Sequence, residues 1–223
     1  FRLPALVAND SDSAGLAEAR FGAGRGHRVV FYSNVGSGIG GALVIEGQLY
    51  QGGVGVAAEI GHLRPGLGCR KPGCDVESLA SGWAITAAVR SRVEQPRPHE
   101  SADAADLKSR CQGELQRLST QIIAQAAEAG NRLARKTLKR AAETYGWALA
   151  QMATLLAPSV IVAGGGVALM SEQLWLEPVR RSVRRYVFPP LADSFQILPA
   201  KLGEQVVVHG VLALVRDQQV ANG

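Results

Sequence analysis

Residues 29–45 read Val29-Val-Phe-Tyr-Ser33-Asn-Val35-Gly36-Ser37-Gly38-Ile39-Gly40-Gly41-Ala42-Leu-Val-Ile45. Two apolar runs rich in β-branched and aromatic residues, Val29–Ser33 and Ala42–Ile45, flank a glycine-dense turn from Gly36 to Gly41. That pattern predicts two strands folding back on each other. Glu46-Gly47 supplies another reversal, and Gln48-Leu-Tyr50 a third strand. Closely spaced glycines can also form an anion nest, because no Cβ keeps the backbone N–H groups away from a phosphate. Ser37 would add a hydroxyl donor. A tight hairpin accounts for the same glycines, so both readings stay open. No Gly-Lys-Ser/Thr follows, which excludes a Walker loop. A strand rather than a helix follows, which sets the run apart from a dinucleotide fingerprint.

Upstream of this hairpin, Leu6-Val-Ala8 reads as a strand end and Asn9-Asp10 as the step into a helix. Ser11 or Ser13 is the expected cap of a helix through Gly15–Arg20, and Gly22–Gly26 is a loop. Downstream, Gly52–Gly73 is a long turn-rich loop of the kind that often carries function. Glu77–Val93 predicts one helix, and Gln95–Ala102, with two prolines, a loop. Leu107–Leu155 predicts two or three helices broken at Gly130-Asn131. A buried strand at Ser159–Ala163, a glycine turn at Gly164–Gly166 and a helix from about Ser171 to Tyr186 follow. After Pro189-Pro190 come the short apolar runs Gln196–Leu198 and Val206–Val208, and a last helix from Gly210. Strands, helices and then a βα unit make a mixed α/β domain.

Composition excludes other classes. The 223 residues are 47% hydrophobic and 19% charged, too apolar for intrinsic disorder. The 26 glycines have no triplet period, so collagen is excluded, and 3 cysteines are too few for a disulfide-stapled secreted domain. The first residues, Phe1-Arg2-Leu3-Pro4, point to a processed or partial chain and do not form a signal peptide. Thr144–Ser171 carries no charge and is long enough for a bilayer span. Pro158 and the glycine triplet divide it into helix, strand and turn, so no membrane segment is expected. The net charge of +5 is mild. Arg132, Arg135, Lys136, Lys139 and Arg140 form one basic cluster, and Arg180, Arg181, Arg184 and Arg185 another. Without a nucleic-acid motif beside them, both read as solvated helix faces. A reducing, cytoplasmic setting is the expectation.

Several side chains could carry chemistry. Asp10, between a strand end and a helix, could be a general base toward an alcohol or simply a helix cap. Glu59-Ile60-Gly61-His62 and Glu77 offer two carboxylates and an imidazole, a set that can hydrogen-bond several sugar hydroxyls. Each has an ordinary structural alternative. Gly164-Gly165-Gly166 stands at the carboxyl end of a strand, where α/β folds bind nucleotides. Cys69, Cys74 and His62 are zinc-type ligands, and Asp75 a conceivable fourth. Two free thiols are the simpler reading.

The order of these pieces is informative. Asn9-Asp10, Gly36-Ser-Gly-Ile-Gly-Gly41, Gly52, Glu59-Ile-Gly-His62, Gly73-Cys74, Glu77-Ser-Leu-Ala-Ser-Gly82 and Gly164-Gly-Gly166 together strongly resemble the ROK family of sugar kinases and sugar-responsive repressors. The resemblance implies an actin-like ATPase fold of two ribonuclease-H-like lobes, with ATP and sugar in the cleft. It implies Asp10 as the base toward a hexose 6-hydroxyl and Asn9, Glu59, His62 and Glu77 as sugar ligands. Gly36, Ser37 and Gly38 would hold ATP phosphates with Mg²⁺, and Gly165 and Gly166 would lie against adenosine.

Two departures accompany it. The family's opening hairpin with its Asp-Gly-Gly-Thr loop is not in the sequence, so the N-terminal lobe is expected to be largely missing. Residues 1–10 would then end that lobe, 11–208 form the sugar-binding C-terminal lobe, and 209–223 a helix left without the lobe it packs against. The family's zinc loop, His plus three Cys, is altered around Cys69 and Cys74, so structural zinc is not expected. A glucokinase-like hexose kinase is the leading expectation. A sugar-responsive repressor, binding DNA through a preceding helix-turn-helix, and a non-catalytic sugar-binding remnant are the alternatives. Family habit suggests a homo-oligomer.

Overall fold

The structure, a computed structural model, describes residues 5–71 and 73–221. Residues 1–4, read above as part of a lobe end, Pro72, and 222–223, read above as part of the last helix, lie outside the described residues.

One five-stranded sheet organises the chain. Its strands are β1 (Val29–Val35), β2 (Ile39–Ile45), β3 (Gln48–Tyr50), β4 (Val160–Gly164) and β5 (Gln196–Pro199), in the order β3-β2-β1-β4-β5. The first three form an antiparallel meander; β4 and β5 are parallel to β1. This mixed α/β lobe meets the expected ribonuclease-H-like architecture. The expected turn at 46–47 is present: Glu46 has φ 51° and Gly47 φ 75°, positive at both positions as a two-residue hairpin with right-handed strand twist requires. The turn between β1 and β2 is shorter than expected. Only residues 36–38 turn, while Gly40 and Gly41 pair with Asn34 and Ser33 inside the ladder.

Alternation along the strands separates two apolar layers. Val30, Tyr32, Ala42, Val44, Val160 and Val162 face α1 (Asp10–Phe21) and α8 (Val206–Ala221). Phe31, Val35, Ile39, Ile161 and Ala163 face the other helices. These are α2 (Val76–Ala80), α3 (Gly82–Glu94), α4 (Ser101–Arg110), α5 (Thr120–Glu128), α6 (Arg132–Leu156) and α7 (Leu176–Tyr186). The charge-free stretch 144–171 resolves into the end of α6, the fully buried β4 and a turn; among the described residues no helix is long and apolar enough to cross a membrane.

Several boundaries differ from expectation. The cap of α1 is Asn9 rather than Ser11 or Ser13: Asn9 Oδ1 accepts from the N–H groups of Ser11 at 2.8 Å and Asp12 at 3.2 Å. Both serines are buried inside the helix. Leu6–Ala8 is not a strand, because no strand of the sheet pairs with it. The single helix expected over 77–93 is two. Ser81 is extended and caps α3, which brings the Gly82 N–H to the Gly36 carbonyl at 2.8 Å. The segment expected as loop at 95–102 ends in a 3₁₀ turn, Pro98–Glu100, and α4 begins at Ser101, before the expected Leu107. The break at Gly130-Asn131 is present, and Asn131 caps α6. The helix expected from Ser171 starts at Leu176.

The last helix begins at Val206, so the apolar run 206–208 is its first turn rather than a separate segment. One face of it packs on α1, while Val208, Val211, Leu212 and Val215 are exposed. A Cβ at Gly210 would stand 1.8 Å from the Ser13 carbonyl, so only glycine admits that approach, and Arg20 forms an ion pair with Asp217 at 2.7 Å.

A buried carboxylate ties this layer together. Glu18, 0% exposed, accepts from the N–H groups of Ala23 at 2.7 Å and of Lys201 and Leu202 at 2.8 Å each. Removing it would strand three donors. We expect Glu18→Ala to cost about 3 kcal/mol or more of stability, read from urea unfolding. A midpoint equal to the parent's would show that these contacts add nothing.

Candidate active site

The site is built around the carboxyl ends of β1 and β4, a usual place for ligands in open α/β sheets. The two glycine turns meet there. The Val35 carbonyl accepts from the Val167 N–H at 2.9 Å, and a Cβ at Gly165 would lie 2.4 Å from the same oxygen. Gly165, with φ 86°, satisfies both the left-handed backbone and the close approach. The Gly36-Ser37-Gly38 turn is closed by the Gly36 N–H donating to the Gly38 carbonyl at 2.9 Å.

Beside these turns lies a cavity of about 760 Å³. Gly36 and Ser37 from the hairpin, Gly82 and Trp83 from α3, and Gly166 after β4 border it. Arg90 and Thr120 complete its polar wall. Trp83, Arg90, Ser119 and Thr120 were not singled out in the sequence, because no motif spacing links positions on α3 and α5 to a glycine turn. Trp83 is 51% exposed, an aromatic face open to the cavity. A planar base and a phosphate chain suit such a lining.

Glu77 stands beneath the hairpin. Its Oε2 accepts from the Ile39 N–H at 2.8 Å, and a Cβ at Gly38 would come within 2.5 Å of that oxygen. Its carboxylate therefore orients the glycine turn. The opposite faces of β2 receive the other candidates. On one face, a Cβ at Gly40 would meet Ser11 Oγ at 2.1 Å, and Ser11 Oγ donates to Asn34 Oδ1 at 3.0 Å. That contact anchors the first turn of α1, where Asp10 sits. Asp10 Oδ1 accepts from the Ser11 N–H at 2.7 Å, and its side chain is open to solvent. On the other face, a Cβ at Gly41 would lie 2.4 Å from the Ala58 carbonyl, and one at Gly61 would lie 2.3 Å from the Ile39 carbonyl. These approaches press the 58–62 segment onto β2, with Ile60 buried and Glu59 and His62 exposed. Ala58 takes φ 60°, an uncommon backbone for alanine, immediately before Glu59.

The structure therefore brings the candidates to one end of the lobe but divides them. Asp10 and Glu59 share a neighbourhood with Asp12, which the sequence did not mark. Burial first, then the Glu59 and Asp10 charges, push the Asp12 carboxyl above its usual range. His62 turns toward Asp75, Nδ1 to Oδ2 3.8 Å. Burial would raise the Asp75 carboxyl, but hydrogen bonds from Ser78 and the neighbouring His62 outweigh it and hold it low. Asn9 spends its side-chain oxygen on capping α1.

The two loop cysteines are not the free thiols expected. Cys69 and Cys74 form a disulfide, with Cα atoms 5.3 Å apart, and between them the Cys74 N–H donates to the Lys71 carbonyl at 3.2 Å. Cys111 is buried. With both loop sulfurs bonded to each other, the residues do not fit a zinc site. Among the described residues no group of three or more His, Cys, Asp or Glu could hold a metal ion.

The ROK family profile matches residues 1–218. The chain belongs to the ROK family. It is 34% identical to a glucokinase of Streptomyces coelicolor, over 96% of this chain and 68% of that one. The crystal structure of a ROK glucokinase from Streptomyces griseus, solved with glucose and AMPPNP, superposes with a TM-score of 0.82 at 34% identity. It covers 96% of this chain and 69% of its own. A xylose repressor of Caldicellulosiruptor bescii is 26% identical over 96% of this chain but only 53% of its own length. The ROK lobe thus occurs in relatives named as kinases and in relatives named as repressors.

Asp12 yields a pH-dependent expectation. A carboxyl whose folded pKa is raised adds stability below its unfolded value, near 3.8, and loses it as pH rises through the folded value. Asp12→Asn keeps the neutral form at every pH. It should melt slightly higher than the parent at about pH 7 and equally at about pH 3. A variant that melts lower at neutral pH would overturn the crowding of Asp10, Asp12 and Glu59.

Proposed function

We propose that this chain is the sugar-binding lobe of an ATP-dependent hexose kinase, acting on a glucose-like sugar at its 6-hydroxyl. The observation that carries the reading is the meeting of the two glycine turns at Val35 and Gly165, beside a cavity of nucleotide size and on the same sheet end as Asp10. The similarity to a glucokinase solved with glucose and AMPPNP supports it.

In this reading Gly36, Ser37 and Gly38 receive the phosphates through backbone N–H groups and the Ser37 hydroxyl. Gly165 and Gly166 lie against the nucleoside, with Trp83 and Arg90 at the same cavity. The nucleotide with Mg²⁺ supplies the phosphoryl group and charge neutralisation when bound. The hard oxygen donors suited to that ion are the phosphate oxygens. Asn9, Glu59, His62 and Glu77 engage sugar hydroxyls. Asp10 takes the proton from the 6-hydroxyl as its oxygen bonds to the terminal phosphorus of ATP and the bond from that phosphorus to the bridging oxygen breaks, with ADP leaving. Phosphoryl transfer asks mainly for positioning and a positive field, and backbone-built turns supply both without reorganisation. Glu77 serves in two ways, since its bond to Ile39 couples the sugar side to the phosphate turn.

The chain, alone and within its complete reading frame, is to be assayed with ATP and a hexose panel. Sugar phosphate formation is expected from the complete polypeptide. Asp10→Asn should then lower kcat by roughly 10²–10⁴-fold with KM for sugar little changed. Hexose binding without turnover would instead favour a sensor role of the kind the repressor relatives' names describe.

A further inference from the structure

The two basic clusters are separate in sequence but adjacent in the fold. Helices α6 and α7 pack closely at Gly146, where a Cβ would lie 2.6 Å from both Ser182 Cβ and the Val179 carbonyl. Ser182 Oγ locks the pair by donating to the Glu143 carbonyl at 2.7 Å. Beside this contact the helices border a hollow of about 460 Å³. Lys139 and Arg140 line it from α6, and Arg181 and Arg185 from α7. Trp147 and Tyr186 contribute aromatic walls, and the Arg185 guanidinium sits 5.6 Å from the Tyr186 ring centroid. Pro65 and Gly66, three and four residues beyond His62, reach the rim.

The charges of this hollow are poorly compensated. Its only carboxylate is Glu143, 3.8 Å from Lys139 Nζ. Arg140, Arg181 and Arg185 have no ion pair among the described residues. Outside the hollow the same helices show both cases: Arg180 pairs with Glu172 and Arg132 lies 3.6 Å from Asp103, while Lys136 and Arg184 have no ion pair among the described residues. Arg181 and Arg185 stand one helical turn apart, where like charges destabilise a helix. A solvated face gives no reason to collect four cations around one concavity. A ligand with several negative charges does.

We propose that the α6–α7 hollow binds a compact oligophosphate anion, at a site distinct from the candidate active-site cavity, with which it shares no lining residue. Its volume is within the range of small-molecule pockets. Three guanidinium groups can each present paired N–H donors to phosphate oxygens. The rim contact of residues 65–66 places such an anion beside the segment that carries Glu59 and His62.

The test is calorimetric titration of the 223-residue chain with sodium tripolyphosphate, which needs no kinase activity. One-to-one binding that weakens as salt rises is expected. Arg181→Gln/Arg185→Gln should weaken it by roughly tenfold or more, while Lys136→Gln/Arg184→Gln, removing the same charge outside the hollow, should change it less than about twofold. Circular dichroism checks folding, and Arg140→Gln is the substitute if the first variant does not fold. Parallel titration with ATP separates the two sources of the anion. Heat abolished by Arg181→Gln/Arg185→Gln marks nucleotide binding in the hollow, and heat that survives belongs to the active-site cavity. Absence of one-to-one tripolyphosphate binding, or equal weakening in both double variants, overturns the proposal. So does a parent chain that dimerises through this face in sedimentation and excludes the anion.

Discussion

The candidate site depends on close approach of backbone to backbone around Val35 and Gly36. The Val35 carbonyl takes the Val167 N–H, and Gly165 presses on it. One residue later the Gly36 carbonyl takes the Gly82 N–H. Three segments distant in sequence thereby converge on two adjacent peptide groups. Side chains at Gly82 or Gly165 would meet those carbonyls at 2.6 Å and 2.4 Å, so the convergence requires glycine. A site made of peptide groups on strand ends and helix starts is rigid, and its N–H dipoles are already oriented, which is what electrostatic preorganisation demands.

The period of two in a strand explains how one hairpin serves two kinds of group. Gly40 and Gly41 are neighbours, so they open to opposite faces of β2. Gly40 admits Ser11 and thus the first turn of α1 with Asp10; Gly41 admits the Ala58 carbonyl and thus the segment with Glu59. Burial first, and then the charges of Glu59 and Asp10 that this arrangement gathers, raise the Asp12 carboxyl. Stability is supplied from behind, where buried Glu18 holds three loop N–H groups and α8 lies directly on α1.

Much of the fold was legible along the chain because periodicity and turn chemistry are local. The hairpin, the Glu46-Gly47 turn, the buried strand near 160 and the break at Gly130-Asn131 all followed from residues within a few positions of one another. Failures occurred where a distant partner decided. Ser81-Gly82 is a cap-and-turn pair inside an otherwise helical run, and the Gly36 carbonyl, which accepts the Gly82 N–H, fixes the break there. Asn9 outcompeted two serines as cap because those serines were needed inside, Ser11 against Asn34 and Ser13 against α8. Cys69 and Cys74 looked like isolated thiols because spacing does not say how a loop doubles back.

By itself the sequence determined the alternation of strands and helices, the glycine positions and the ordered motifs by which this chain resembles the ROK family, since each is a property of residue type and short spacing. Tertiary structure alone decided which glycines carry contacts and that Glu77 reaches the Ile39 N–H. It also gathered Asp12 with Asp10 and Glu59, and joined two basic helix faces around one hollow. Those facts depend on distances between segments tens of residues apart, and only packing of the layers against the sheet sets such distances.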